Sequence, residues 1–227
     1  MKIFVLPGLD GVASLRSKFA EELALTHDVI VLDYPQVEWT TYDAVADFVL
    51  ERITTNEKFC IVAESFSGPT AIRIAARGSE NLAGLVFAAS FAIPPNPYVS
   101  IAAQLAMFTP RKNATFAWLI SHVLSSGADR AVSQALAACL KELPSDLVQR
   151  RLSLVAQASE LNRLSGLNIP MLYLRAKRDW LVGRACCARM VEANSLIRIA
   201  TIDGPHFILG VKSKESAGLV NSFVAKL

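Results

Sequence analysis

Short apolar runs that alternate with helix-like segments constrain the fold of this chain more than any other feature. Most of the runs are apolar throughout, which is typical of strands covered on both faces in a parallel sheet. The early segments between them carry apolar residues three and four apart, as amphipathic helices do. The order βαβαβαβ therefore predicts an α/β fold whose mostly parallel sheet has helices on both faces and right-handed crossovers. The predicted strands are 2–6, 27–34, 58–63, 82–90, 170–176 and 196–202, and the predicted early helices are 13–25 and 42–54.

The strand pattern stops at the PPNP segment that begins at Pro94. From there to residue 162 the sequence shows helical periodicity and no convincing strand, with the basic pair Arg150 and Arg151 on an exposed side of the last helix. The alternating pattern resumes after Pro170. We therefore predict a core domain of residues 1–93 and 163–227, and an all-helical insertion of residues 94–162 over the carboxyl ends of the strands. The predicted later helices are 98–108, 114–124, 128–140, 145–161, 183–192 and 207–226.

Composition narrows the class of protein. A chain of 227 residues fits one α/β domain with an insertion, and 52% hydrophobic against 19% charged residues favours a compact fold. A net charge of +3, with scattered lysines and arginines, argues against nucleic acid as a partner.

The initial apolar run is too short for a signal peptide, and no apolar stretch of about 18 residues appears. We expect a cytoplasmic protein without membrane insertion, whose four cysteines fit neither a disulfide framework nor a zinc spacing.

The stretch FCIVAESFSGPTAIRIAA, residues 59–76, places Ser65 at the carboxyl end of the third predicted strand, where sites form in open parallel sheets. A strand that turns directly into a helix brings two backbones together, so the residues two before and two after the turn must be small. Ala63 and Ser67 meet this need, and Gly68 adds room. Such a turn strains Ser65 and exposes its hydroxyl at a helix N-terminus. Ser65 is therefore the predicted nucleophile, and Ser67 the alternative if the strand extends two residues further.

Any imidazole chemistry must use His27, His122 or His206. His206 lies in a Gly-Pro turn directly after the last predicted strand, whereas His27 opens a strand at the opposite edge and His122 lies in the insertion. His206 is therefore the predicted general base.

Four segments resemble the α/β-hydrolase superfamily, and one of them is DGPHF, residues 203–207, which contains His206. VAESFSG, residues 62–68, resembles its nucleophile elbow Gly-x-Ser-x-Gly, with Ala63 and Ser67 in place of the glycines. LPGLDG, residues 6–11, resembles the loop that usually reads His-Gly-x-Gly, with Pro7 in place of the histidine, although an ordinary βα turn could have the same residues. LRAKRDWLV, residues 174–182, resembles the loop that carries the catalytic acid. The resemblance covers essentially the whole chain and implies the α/β-hydrolase fold, with the insertion as its helical lid.

The resemblance also implies a Ser-His-Asp triad and an oxyanion hole. Asp179 would be the acid, with Asp203 in reserve, and the amides of Leu9 and Phe66 would be the oxyanion donors. This chemistry needs no cofactor or metal. Glu64 stands where relatives often carry histidine, and we expect it to modulate substrate binding instead of acting as a base. The predicted substrate-binding residues are Glu64, Trp180, Met107, Phe116 and Trp118, with Phe108 and Leu119 as further possible lid walls.

The implied function is a serine hydrolase that cleaves a carboxylic ester with a small or apolar acyl group, similar to small bacterial carboxylesterases with a helical lid. Thioester or carbon-carbon bond hydrolysis by the same triad is an alternative. A non-catalytic binding protein of the same fold is another. The expected partner is a small-molecule substrate, and the sequence leaves monomer and homodimer open.

Overall fold

The computed structural model describes residues 1–95, 121–122, 124–125 and 130–227. Within them the chain forms a six-stranded sheet in the order β2-β1-β3-β4-β5-β6, and every neighbouring pair of strands is parallel. The predicted α/β class with a parallel sheet is confirmed. The strands are β1 Lys2–Leu6, β2 Asp28–Val31, β3 Phe59–Glu64, β4 Leu82–Ala88, β5 Met171–Arg178 and β6 Ile197–Pro205.

Helices cover both faces of the sheet, which explains why the central strand sequences are mostly apolar. One face packs against α1, α8 and α9, and the other against α2, α3, α5, α6 and α7. Every residue of β3 is buried. The helices are α1 Ser17–Ala24, α2 Tyr42–Leu50, α3 Gly68–Ala76, α4 Arg130–Glu142, α5 Ser145–Ala156, α6 Leu161–Ser165, α7 Arg184–Ala193, α8 Ile208–Val211 and α9 Ser213–Val224, with 3-10 turns at Ala13–Arg16 and Ser65–Ser67.

Three predicted helices are interrupted. The helix predicted over 13–25 begins as a 3-10 turn, and the one predicted over 207–226 divides at Lys212 into α8 and α9. The helix predicted over 145–161 ends at Ala156, because the chain turns so that the Glu160 amide can donate to the Ala92 carbonyl oxygen (2.8 Å). Apolar periodicity continues through these breaks, so the sequence pattern does not reveal them.

Residues 89–170 join β4 to β5, and we call them the β4–β5 connection. Its described residues contain α4, α5 and α6 and no strand. The helix predicted over 98–108 lies outside the described residues, as do most residues of the helix predicted over 114–124. The boundaries at 94 and 162 stay a prediction. No helix in the described part of the chain is long and apolar enough to cross a membrane.

The strand order reverses direction at β1. The chain steps from β1 to β2 on one side and then returns to β3 on the other, so the connections diverge between β1 and β3. Ligand sites in open α/β sheets form at such a divergence. Leu6 pairs with Ala63 in register, which brings the loop after β1 level with the turn after β3. We call residues 7–12 the β1 loop.

Candidate active site

Ser65 occupies a strained turn between β3 and α3. Its φ is +46°, in the left-handed region that residues other than glycine rarely adopt. The Ser90 hydroxyl donates to the Ser65 carbonyl oxygen (2.6 Å), and the Tyr173 hydroxyl in turn donates to the Ser90 carbonyl oxygen (2.6 Å). These bonds stabilise the unfavourable backbone conformation. Strain of this kind costs about 1–3 kcal/mol and concentrates at functional sites.

The elbow packs so tightly that Gly68 allows no side chain. A Cβ at Gly68 would lie 2.0 Å from Ser90 Oγ and 2.9 Å from the Phe91 carbonyl oxygen. The small residue that the sequence predicted at the second flanking position, Ser67, is fully buried. Its hydroxyl donates to the Pro7 carbonyl oxygen (2.5 Å) and accepts from the Tyr34 hydroxyl (2.6 Å). These two bonds occupy Ser67, so the structure favours Ser65 over Ser67 as the reactive serine.

The structure brings Ser65, His206 and Asp179 into one hydrogen-bonded chain. His206 Nε2 lies 2.9 Å from Ser65 Oγ, and His206 Nδ1 lies 2.8 Å from Asp179 Oδ2. A carboxylate only accepts hydrogen bonds, so Nδ1 carries the proton and Nε2 is free to accept from the serine hydroxyl. This tautomer is the one that a general base needs.

Strand register places the acid beside the histidine. Arg178 pairs with Pro205, and these residues end β5 and β6, so Asp179 and His206 leave the sheet side by side. Asp179 Oδ1 accepts from the amides of Leu181 and Val182, both at 2.9 Å, which fixes the carboxylate. The reserve acid Asp203 is exposed and pairs with Arg178 instead (3.1 Å).

The surroundings of His206 favour its protonated form. Burial lowers the pKa of His206, but the charge of Asp179, the hydrogen bond to Asp179 and the charge of Glu64 together raise that pKa above its ordinary value. Arg16 opposes this rise. The imidazolium that forms when His206 takes a proton is therefore stabilised where it stands.

Behind the elbow lies a buried ion cluster that the sequence reasoning missed. Arg16 donates from Nε to Glu64 Oε2 (2.6 Å), from Nη2 to Asp10 Oδ2 (2.7 Å) and from Nη1 to the Val12 carbonyl oxygen (2.9 Å), with further bonds to both carboxylates. Its guanidinium also lies 5.1 Å from the centre of the Phe207 ring. We call Asp10, Arg16 and Glu64 the Arg16 cluster. It joins the β1 loop to the end of β3, and its arginine also contacts Phe207, which follows β6.

The predicted substrate contact of Glu64 differs from what the structure shows. Glu64 is 2% exposed and faces Arg16 instead of an open surface. Burial raises the pKa of Glu64, and the adjacent Arg16 charge opposes the rise. An acidic residue directly after a buried strand, next to the predicted nucleophile, was the available signal that a buried cation must accompany it.

Most carbonyl groups of the β1 loop accept a hydrogen bond. The Pro7 carbonyl accepts from Ser67, and the Gly8 carbonyl accepts from the Gly11 amide (3.1 Å). The Gly11 carbonyl accepts from the Tyr34 amide (2.8 Å). Because a peptide group is planar, fixing the Gly8 carbonyl also fixes the direction of the Leu9 N–H. Phe66 directly follows Ser65, and Leu9 lies in the β1 loop, which the register of β1 and β3 brings level with the turn that carries Ser65. Their role as oxyanion donors stays a prediction.

The remaining predicted residues fall into two groups. Trp180 follows Asp179 and is 82% exposed, and its role in substrate binding stays a prediction. Met107, Phe116 and Trp118, with Phe108 and Leu119, lie outside the described residues. In the described part of the chain no group of three or more His, Cys, Asp or Glu side chains could hold a metal ion.

No family model and no curated protein matches the chain, but solved structures resemble it over almost its full length. A hydrolase from Oleispira antarctica covers 100% of this chain and 91% of its own, with a TM-score of 0.88 at 12% identity. An enol-lactonase from Burkholderia xenovorans LB400 covers 99% and 91%, with a TM-score of 0.88 at 15% identity. A thermophilic esterase from Thermogutta terrifontis covers 100% and 90%, with a TM-score of 0.86 at 17% identity.

Proposed function

We propose that this chain, which has the α/β-hydrolase fold, is a serine hydrolase that cleaves a carboxylic ester through an acyl-enzyme. The observation that carries the proposal is the hydrogen-bonded chain from Ser65 through His206 to Asp179, built on a strained serine. A binding protein of the same fold has no need to keep a serine in the left-handed region, so the strain favours catalysis over binding.

In the first half-reaction, Ser65 Oγ bonds to the acyl carbon while its proton passes to His206 Nε2. The carbonyl electron pair moves to the oxygen, which becomes an oxyanion. When this intermediate collapses, the bond to the alcohol breaks and the alcohol takes the proton from His206. Asp179 keeps Nδ1 protonated throughout and offsets the positive charge on the imidazole.

The amides of Leu9 and Phe66 would receive the oxyanion. Each such donor contributes about 3 kcal/mol of transition-state stabilisation. In the second half-reaction His206 takes a proton from water, the resulting hydroxide attacks the acyl carbon, and Ser65 recovers its proton as the acid leaves.

Two of the similar structures are named an esterase and an enol-lactonase, which favours an ester over a thioester or a carbon-carbon bond. A small or apolar acyl group fits the apolar character of the predicted lid and of Trp180 at the rim.

The test is hydrolysis of p-nitrophenyl esters of increasing acyl length, compared with acyl-thioesters. We expect ester turnover that depends on acyl length and that Ser65→Ala lowers by about 10⁴-fold or more. Ser222→Ala, which removes an exposed hydroxyl on α9, is the matched control and should keep the wild-type rate. Absence of ester turnover, or turnover that survives Ser65→Ala, would overturn the proposal.

A further inference from the structure

Two adjacent arginines on α5 have opposite environments. Arg150 has a side chain that is 55% exposed and pairs with the exposed Glu38 (3.0 Å). Arg151, which the sequence placed on the same exposed side, is 2% exposed. The β4–β5 connection therefore inserts one cation into the interior while its neighbour stays in solvent.

The buried guanidinium of Arg151 reaches the β1 loop. Arg151 Nη1 donates to the Leu9 carbonyl oxygen (2.6 Å), and Nη2 donates to the Pro35 carbonyl oxygen (3.2 Å). Its Cζ lies 6.0 Å from the centre of the Tyr34 ring. Gly11 makes room for it, since a Cβ there would lie 2.6 Å from Nη1 and the residue has a φ of +74°.

Among the described residues, the hydrogen-bond partners of this buried cation are neutral carbonyl groups. Burial lowers the pKa of Arg151, and the charge of the nearby Asp10 opposes that shift. A buried arginine held by carbonyl groups is costly, because most of its hydration is lost. The contact that offsets this cost most directly is the short, charge-assisted bond to Leu9.

That bond holds the backbone next to the predicted oxyanion donor. The Gly11 amide holds the peptide before Leu9, and Arg151 holds the peptide after it. With both planes fixed, Leu9 cannot rotate about its own backbone bonds without losing one of these contacts. A side chain from the β4–β5 connection therefore restrains the same residue whose N–H is the predicted oxyanion donor.

We propose that Arg151 is a positioning residue through which the β4–β5 connection keeps the β1 loop in the shape that stabilises the oxyanion. The inference rests on the proposed function. Arg151 does not touch the acyl group; it acts through Leu9. A role limited to anchoring α5 would change stability, whereas this role changes transition-state binding.

The test compares Arg151→Gln, Arg151→Lys and the matched control Arg150→Gln. For each variant, kcat and KM are measured on an ester that the wild type hydrolyses, together with the inhibition constant of a trifluoromethyl ketone. The Ser65 hydroxyl adds to the ketone carbon, and the ketone oxygen becomes an oxyanion in the oxyanion hole. The affinity of the ketone therefore measures how well the protein binds the transition state. Urea unfolding measures the free energy of unfolding in parallel.

We expect Arg151→Gln to lower kcat and weaken the ketone by the same factor, about 10–100-fold, with little change in KM. Arg151→Lys keeps one charged donor and should fall between this variant and the wild type. Arg150→Gln should leave all three values unchanged. If Arg151→Gln does not fold, Arg151→Lys carries the test.

A folded Arg151→Gln with wild-type kcat and wild-type ketone affinity would overturn the inference, and so would a change confined to stability or to KM. If Arg151→Gln does not fold, an Arg151→Lys variant with wild-type kcat and wild-type ketone affinity would overturn the inference. These outcomes leave the proposed function intact, because the wild type still hydrolyses its ester. A wild type that hydrolyses no ester would overturn both.

Discussion

Replacing Arg16 by methionine should strongly destabilise the fold, because Arg16 compensates two buried carboxylates. Arg16 is 1% exposed and bonds to both Asp10 and Glu64, which are themselves buried. Methionine has a similar length and no charge, so Arg16→Met leaves both acids without a cation. Removing one partner of a buried ion pair costs about 3–5 kcal/mol.

This loss is large against the 5–15 kcal/mol that typically stabilises a domain. For a chain of this size, each kcal/mol shifts Tm by about 2–4 °C, so Arg16→Met should lower Tm by about 6–20 °C. The measurement is urea unfolding at several pH values, with calorimetry for Tm.

The matched control is Arg77→Met. Arg77 also bridges two carboxylates, at 3.1 Å from Asp43 and 2.5 Å from Asp47, but its side chain is 35% exposed and both partners are more exposed still. Solvent screens this bridge, and we expect a loss of at most about 1 kcal/mol.

The deficit of Arg16→Met should also depend on pH. Burial already raises the pKa of Glu64 and Arg16 opposes the rise, so removing Arg16 raises that pKa further. A carboxyl group whose pKa is higher in the folded than in the unfolded state loses its stabilising contribution as pH rises through the folded value. The deficit should therefore be larger near neutral pH and shrink as the solution becomes acidic. Equal losses in Arg16→Met and Arg77→Met would refute this reasoning.

Three further predictions concern the reactive groups. Because Asp179 and Glu64 raise the pKa of His206, kcat/KM for an ester should rise with pH through an apparent pKa above 6.5, and a titration at or below 6.5 would contradict the electrostatics. Asp179→Asn should lower kcat by about 10³–10⁴-fold, since His206 loses the carboxylate that fixes its tautomer, whereas Asp203→Asn should keep the wild-type kcat. A loss of kcat in Asp203→Asn with none in Asp179→Asn would identify Asp203 as the acid. Gly68→Ala should lower both kcat and the free energy of unfolding, the latter by about 1–3 kcal/mol from overpacking, and wild-type kinetics and urea stability in this variant would contradict the tight elbow.

The sequence predicts the sheet well because its strands are covered on both faces. The central strands have few polar positions, so a run like FCIVA at the start of β3 is recognisable without its neighbours. The positions of Ser65 and His206 follow from the same argument, since each residue comes directly after a strand and parallel strands share one carboxyl edge. Asp179 is expected only from the resemblance of residues 174–182 to an acid-bearing loop, and it follows β5, which extends two residues beyond its predicted end.

The buried charges could not be predicted in this way. Arg16 and Arg151 lie in segments whose apolar periodicity assigns charged residues to solvent. Their partners are far away in sequence: the residue numbers differ by 48 for Arg16 and Glu64 and by 142 for Arg151 and Leu9. Only the folded arrangement brings these groups together. The local pattern indicates that Glu64 needs a cation, but it does not identify Arg16 as that cation.

Reaction with a fluorophosphonate, followed by intact-mass and peptide mass spectrometry, tests most directly whether His206 makes Ser65 a nucleophile. We expect one label per chain, located on Ser65, and labelling that slows by about 10³-fold or more in His206→Ala. A label on another residue, or labelling of His206→Ala at the wild-type rate, would contradict the account.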